Sequence, residues 1–304
     1  MIEPITTVGA GLGILASKDL LNNLLGPSAD YIGGEIKNLV EKCNINLNDI
    51  FSKAYRKLGK KVDEEGIVPP RVLKYVFDDG RFCEDDLTKE YFAGVLASSR
   101  TKDGSDDSGV TFAKLISSLS SYQIRTHYLF YSSLRKKFLP FNNCISPGTD
   151  RQAMFLYIPT DSYFESMPVA KELVDFDDKI TILAHSMNGL KRNDLIGENY
   201  IWGERRNFSY DSWKHRFSEF PFDEKKLQEH GIAFHPTPGG MELFLWVHGS
   251  GHYSHLKFLD ETLQIEFIEG FEEMKDAKIL YDGFVRHKQK MAGRVNNWLH
   301  EDRS

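Results

Sequence analysis

Two apolar helical stripes joined at a Gly-Pro break constrain this chain more than any other feature. Residues 12–25 place Leu12, Leu15, Leu20, Leu21, Leu24 and Leu25 on one broad face. Gly26-Pro27 follows at once, and Tyr31, Ile32, Ile36, Leu39, Val40 and Cys43 then resume helical spacing. Glycine ends a helix readily, and proline suits the first turn of the next, where its missing N–H is not needed. A chain that begins this way is expected to build a helix-on-helix core rather than a sheet.

The periodicity continues. Asn46 or Asn48 is expected to cap a helix running to about Lys61, with Ile50, Phe51, Ala54, Tyr55 and Leu58 inward. Gly66 and Pro69-Pro70 form a link to a short helix carrying Val72, Leu73, Val76 and Phe77. Glu84-Asp85-Asp86 crowd acid into the first turn of a helix reaching about Ser99, which complements its dipole. Tyr91, Phe92, Val95 and Leu96 of that helix are expected in the core. After the polar loop 101–109, helices are predicted over 110–119 and 121–138. Pro140 to Asp150, with two prolines and no periodicity, reads as a domain boundary. Beyond it the pattern is mixed. Strands are predicted at 153–158 and 263–268, and helices at 164–175, 178–189, 223–230 and 239–248. The fold class expected is therefore a mainly α N-terminal domain, residues 1–140, followed by a smaller mixed α+β domain, residues 151–304.

Composition narrows the function classes. Lys and Arg number 38 and Asp and Glu 44, for a net charge of −6. The first 150 residues hold 19 of each, leaving 19 basic and 25 acidic residues in the remainder, which thus carries the whole imbalance. No general basic field invites nucleic acid. Three cysteines without a CxxC pair argue for a reducing compartment and against a disulfide framework. No basic leader with a long apolar core is apparent, and the apolar run Val8–Ala16 is too short to span a bilayer. A cytoplasmic protein is expected, with contact at a membrane surface left open.

Four motifs invite chemistry. Val8-Gly9-Ala10-Gly11-Leu12-Gly13 suggests a dinucleotide turn, but the preceding Glu3–Thr7 is too short and proline-broken for a buried strand, and position 14 is Ile rather than Gly. The better reading is a small-residue face of Gly9, Gly13 and Ser17, suited to close packing or to a membrane or oligomer contact. Ser186 in Ala184-His185-Ser186-Met187-Asn188 lacks the flanking glycines of a nucleophile elbow, and an amphipathic helix with Ile180, Leu183, Met187 and Leu190 inward accounts for it. The acidic pairs Asp106-Asp107, Asp177-Asp178 and Glu272-Glu273 show no nuclease spacing and read as solvated surface. His248, His252 and His255 are the best metal candidates, with Asp260 or Glu261 within reach in sequence. Neutral imidazoles are good zinc ligands, but Gly249 and Gly251 break any helix that would align them.

Leu24-Leu25-Gly26-Pro27-Ser28-Ala29-Asp30-Tyr31-Ile32-Gly33 begins a series of motifs in order. Glu65-Gly66-Ile67-Val68-Pro69-Pro70, Tyr91-Phe92-Ala93-Gly94-Val95-Leu96-Ala97 and Leu119-Ser120-Ser121-Tyr122-Gln123 complete it. Taken together, residues 24–137 resemble the abortive-infection alpha (Abi-alpha) family of prokaryotic defence proteins. Leu25, Gly26, Pro27, Asp30, Tyr31 and Gly33 are the residues that match its first motif. The resemblance implies a protein that stops phage spread at the expense of the infected cell; it brings no catalytic residues and no cofactor. His230–Phe234 followed by Thr237–Phe244 also looks like the wing and last helix of a winged-helix-like module, and the acidic balance of that half favours protein contacts over DNA. The expectation is a non-enzymatic effector or sensor. It would work with a phage or host protein, through homo-oligomer assembly, or by weak membrane contact. The alternative is a metal-dependent hydrolase or nuclease using His248, His252 and His255.

Overall fold

The computed structural model describes residues 45–293, except 169–171, 174, 205–207, 209–226, 228–229, 272 and 281–284. The protein is mostly helical with one small four-stranded antiparallel sheet. The described chain packs into two compact units. The first comprises residues 45–124 with Leu243–Tyr253, and the second comprises Arg125–Glu242 with residues 254–293.

The first unit is built from α1 (Ile45–Leu58), α2 (Pro70–Gly80), α3 (Asp86–Ser99), α4 (Gly109–Ser118) and the start of α5 (Ser121–Phe138). Helix α3 is its centre. Every residue from Lys89 to Ser99 is buried, as expected for a helix with neighbours on all sides. The Asp85 carboxylate caps it, accepting from Thr88 N at 2.8 Å. The inward faces of its neighbours follow helical spacing: Ile50, Phe51, Ala54 and Leu58 on α1, and Val72, Leu73, Val76 and Phe77 on α2. Helix α1 begins earlier than predicted, so Asn46 and Asn48 lie inside it. Asn46 is engaged elsewhere, its amide donating to Arg81 O at 3.2 Å. The link after α1 is pinned by backbone pairing of Ile67 with Thr101, at 2.7 and 3.1 Å, and by Arg100, whose guanidinium donates to the Lys61 and Glu64 carbonyls.

Leu243–Tyr253 packs into the same unit. Gly94 admits it, since a Cβ there would lie 2.2 Å from Val247 O. Ser98 Oγ donates to Trp246 O at 2.9 Å and accepts from Gly251 N at 3.0 Å. Trp246 stacks on Phe112 with centroids 4.4 Å apart.

In the second unit α5 supplies the buried spine. The sheet contains β1 (Leu156–Pro159), β2 (Ile201–Glu204), β3 (His230–Phe234) and β4 (Lys278–Ile279), in the order β2-β3-β1-β4. Leu156 pairs with Phe234 on one side and Ile279 on the other. Phe234 stacks on Phe130 of α5 at 4.1 Å. Helices α6 (Thr160–Glu165), α7 (Phe176–Arg192) and the first turns of α8 (Pro238–Val247) complete the unit, and residues 285–293 are helical.

Three predictions for this half need correction. Residues 263–268 form no strand despite their alternation; the Ile268 amide instead donates to the Tyr128 hydroxyl at 2.6 Å, and the short strand 278–279 takes the place beside β1. The helix expected over 164–175 does not begin at 164: Thr160–Glu165, preceded by Pro159, ends at Ser166, Pro168 and Glu172 are again helical, and residues 169–171 and 174 lie outside the described residues. The helix expected to reach residue 230 does not, because His230 opens β3; most of residues 223–229 lie outside the described residues.

Candidate functional site

The first unit contains a half-buried cluster of charge between α1 and α3. Lys53 and Lys57 are four residues apart on α1, and Lys89 and Glu90 are adjacent on α3. Glu90 receives Lys57 Nζ at 2.6 Å, Arg56 at 3.5 Å and Lys53 at 3.8 Å. Asp49 receives Lys53 at 2.6 Å and Lys89 at 3.4 Å, and Lys89 also reaches Asp86 at 3.1 Å. Burial pushes the Lys57 ammonium below the usual lysine range against the pull of Glu90. Each carboxylate in the cluster is held by at least one cation. The arrangement ties two helices together and presents no free base to a substrate. The sequence carries its signal in Asp49, Lys53 and Lys57, ionic residues at helical spacing on the edge of an apolar face, a pattern that matches no catalytic motif.

The second unit holds a fully buried polar network. The Tyr131 hydroxyl donates to Leu195 O at 2.8 Å and accepts from Thr237 N at 3.1 Å. Thr237 Oγ1 donates to Asp194 O at 2.6 Å and accepts from Gly240 N at 3.1 Å, so it caps α8 while fastening the 194–195 turn. His127 Nε2 donates to Gly240 O at 3.0 Å, and its ring stacks on Tyr131 at 4.6 Å. Burial drives His127 down to about 3, so it is neutral in the folded protein, with the proton on the nitrogen that meets a carbonyl. Nearby, Thr126 and Tyr163 share a hydrogen bond at 2.9 Å, and burial pushes the Tyr163 hydroxyl up to about 12. These groups order helix ends and turns. They are sealed from solvent and suit structure rather than turnover.

The residues singled out by sequence fall as follows. Gly9, Gly13 and Ser17, and likewise Leu25, Gly26, Pro27, Asp30, Tyr31 and Gly33, lie outside the described residues. Ser186 is buried in the middle of α7, facing Tyr163, with Ile182, Leu183 and Met187 also inward; no strand-to-helix turn presents it. Asp106 receives Ser108 N, Asp107 pairs with Arg71, and Asp177 and Asp178 occupy the first turn of α7 behind the Asp175 cap. Glu273 meets Lys136 at 3.4 Å, and Glu272 lies outside the described residues.

The three histidines each have separate employment. His248 Nδ1 bonds Phe244 O at 2.7 Å, one helical turn back. His252 lies against Tyr253 with centroids 4.0 Å apart, and burial lowers its pKa, with Lys61 adding to the effect. His255 Nδ1 meets Glu242 Oε1 at 3.2 Å. Asp260 accepts from Lys257 and Thr262. Among the described residues, no three His, Cys, Asp or Glu side chains come together in a way that could hold a metal ion. Cys83 and Cys144 are free thiols; burial pushes Cys83 up to about 11, which keeps it protonated and unreactive at neutral pH. Among the described residues no helix is long and apolar enough to cross a membrane.

No family model matches this chain, and neither a curated protein nor a solved structure does.

Proposed function

We propose that this protein is an anti-phage defence protein of the abortive-infection type, acting without catalysis through protein assembly or contact with a membrane surface. The observation that carries the reading is the ordered set of Abi-alpha-like motifs across residues 24–137. Their described members do a common kind of work. Glu65–Pro70 makes the paired link before α2. Tyr91–Ala97 is the innermost stretch of α3. Ser120 and Gln123 exchange hydrogen bonds at 3.1 and 3.4 Å at the entry to α5, a reciprocal cap. Residues of this sort preserve a scaffold, and a scaffold acts through its surface.

The antiparallel pair β2–β3 followed by α8 supports reading the second half as winged-helix-like, a sensing or partner module. Its excess of acid favours a protein partner, from phage or host, over nucleic acid. Homo-oligomer formation and weak membrane attachment are the routes by which such a cytoplasmic effector would act.

The test is expression in a susceptible bacterial host, followed by challenge with a broad phage panel. Reduced plaque counts together with death of infected cells are expected. Unchanged plaque counts across the panel, with expression verified, would overturn the proposal.

A further inference from the structure

Residues 263–268 of the second unit carry the alternation of a strand and pair with no other strand. The segment is tied down at its two ends. The Arg135 guanidinium donates to Leu263 O at 3.0 Å, and Ile268 N donates to the Tyr128 hydroxyl at 2.6 Å. Residues 264–268 contain no turn or bend. Burial alternates as on a strand with one face covered: Leu263, Ile265 and Phe267 are half-buried, while Gln264 and Glu266 are exposed. Lys136 of α5 lies over the Phe267 ring, 5.9 Å from its centroid. Among the described residues, no backbone N–H or C=O of Gln264, Ile265, Glu266 or Phe267 makes a hydrogen bond. Four consecutive residues with an unpaired backbone have the character of an open sheet edge.

We propose that residues 263–268 accept an extended, basic segment of a partner protein as an added strand. An unpaired run of backbone, held at both ends, is what strand addition needs: main-chain hydrogen bonds supply the affinity and alternate side chains the specificity. Charge selects the partner. Glu261, Glu266 and Glu269 are exposed and pair with no cation among the described residues, whereas the nearby cations Lys136 and Lys257 are engaged by Glu273 and Asp260. A second copy of this segment would bring one acidic row beside another, and like charges across paired strands repel. A segment alternating Lys or Arg with apolar residues instead sets its cations beside Gln264 and Glu266 and its apolar side chains beside Ile265 and Phe267. The site does not depend on the defence reading, and a failed phage challenge leaves it standing.

Titration of the full-length protein with a capped, fluorescently labelled Val-Lys-Val-Lys-Val-Lys peptide, read by anisotropy, tests this. Saturable binding is expected, and it should slow hydrogen exchange at residues 264–267 about tenfold or more. Methylating every backbone nitrogen of the peptide keeps its charge but removes its donors, and should weaken binding about tenfold or more. Glu266→Lys, at an exposed position that leaves the fold intact, should weaken binding of the unmethylated peptide about fivefold or more. Absence of saturable binding, equal binding of the methylated peptide, or binding unchanged by Glu266→Lys overturns the proposal. Amides of residues 264–267 that are already protected without peptide also overturn it, and protection that grows with protein concentration assigns the edge to a second copy.

Discussion

Lys57 and Glu90 make the closest ion pair that crosses from α1 to α3, with Nζ 2.6 Å from Oε2 and side chains only 13% and 10% exposed. Their attraction offsets a desolvation cost that lowers the Lys57 pKa. A buried pair of this kind adds little over a well-packed apolar pair, yet removing one partner strands the other charge.

Glu90→Gln should therefore destabilise the first unit by about 3 kcal/mol, the lower end for a broken buried pair because some solvent still reaches it. The double variant Lys57→Met/Glu90→Leu should return to within about 1 kcal/mol of wild type, since both charges leave together. Lys53 keeps Asp49 at 2.6 Å, and Arg56 is 70% exposed, so neither is stranded. Chemical denaturation of the three proteins checks this; a double variant as weak as the single one would show that the pair itself contributes the stability.

His127 makes the second unit sensitive to acid. Its folded pKa is depressed to about 3 from an ordinary 6.5, so the unfolded chain binds a proton that the folded protein refuses. The stability it permits is complete above pH 6.5 and is lost progressively as pH falls from there toward 3. The loss approaches about 1.4 kcal/mol per pH unit in that window. His127→Gln, whose amide can still donate to Gly240 O but does not titrate, should flatten the slope by about one proton. Denaturation midpoints between pH 7 and pH 4 read this directly, and equal slopes in the two proteins would count against it.

Gly240 is needed for space rather than for backbone freedom. A Cβ there would sit 2.0 Å from the Tyr131 hydroxyl and 2.6 Å from Leu195 O, atoms already bonded to each other. Gly240→Ala should cost about 2–3 kcal/mol or more through forced displacement of the network. Thermal unfolding with an unchanged midpoint would show that the Tyr131 ring can yield.

Phe92→Ala should cost about 3–5 kcal/mol, the range for emptying a large buried ring site. The side chain is 2% exposed at the centre of the first unit, with Tyr91, Val95 and Leu96 buried beside it. A cost below about 1 kcal/mol would mean that the cavity collapses freely around α3.

The burial of Phe92 was legible in the sequence, as were the presence and inward face of α2 and the approximate spans of α3, α4 and α5. A helix satisfies its own backbone, and its start, stop and inward face are written within a few residues: Asp85 before α3, Pro69-Pro70 before α2, Arg135-Lys136-Lys137 at the end of α5. The candidate site was far less legible. Glu90 looked like any surface acid of a helix, and only the approach of Lys57 from another helix makes it a buried centre. His127 showed no motif at all, because its role depends on Gly240, more than a hundred residues away.

By itself the sequence determined the helical character of residues 45–138, the register of the helices there and the residues that must face inward, since each of these depends on neighbours three and four positions along the chain. Tertiary structure alone decided which strands exist and where Leu243–Tyr253 belongs. The alternating run 263–268 has the chemistry of a strand but no partner backbone, while Lys278–Ile279, too short to notice, lies beside β1 and pairs with it. Ser98 and Gly94 hold Trp246 and Val247 against α3 through contacts about 150 residues distant in sequence. A strand needs hydrogen bonds from another segment, and a returning loop needs a surface shaped to receive it; neither is encoded locally.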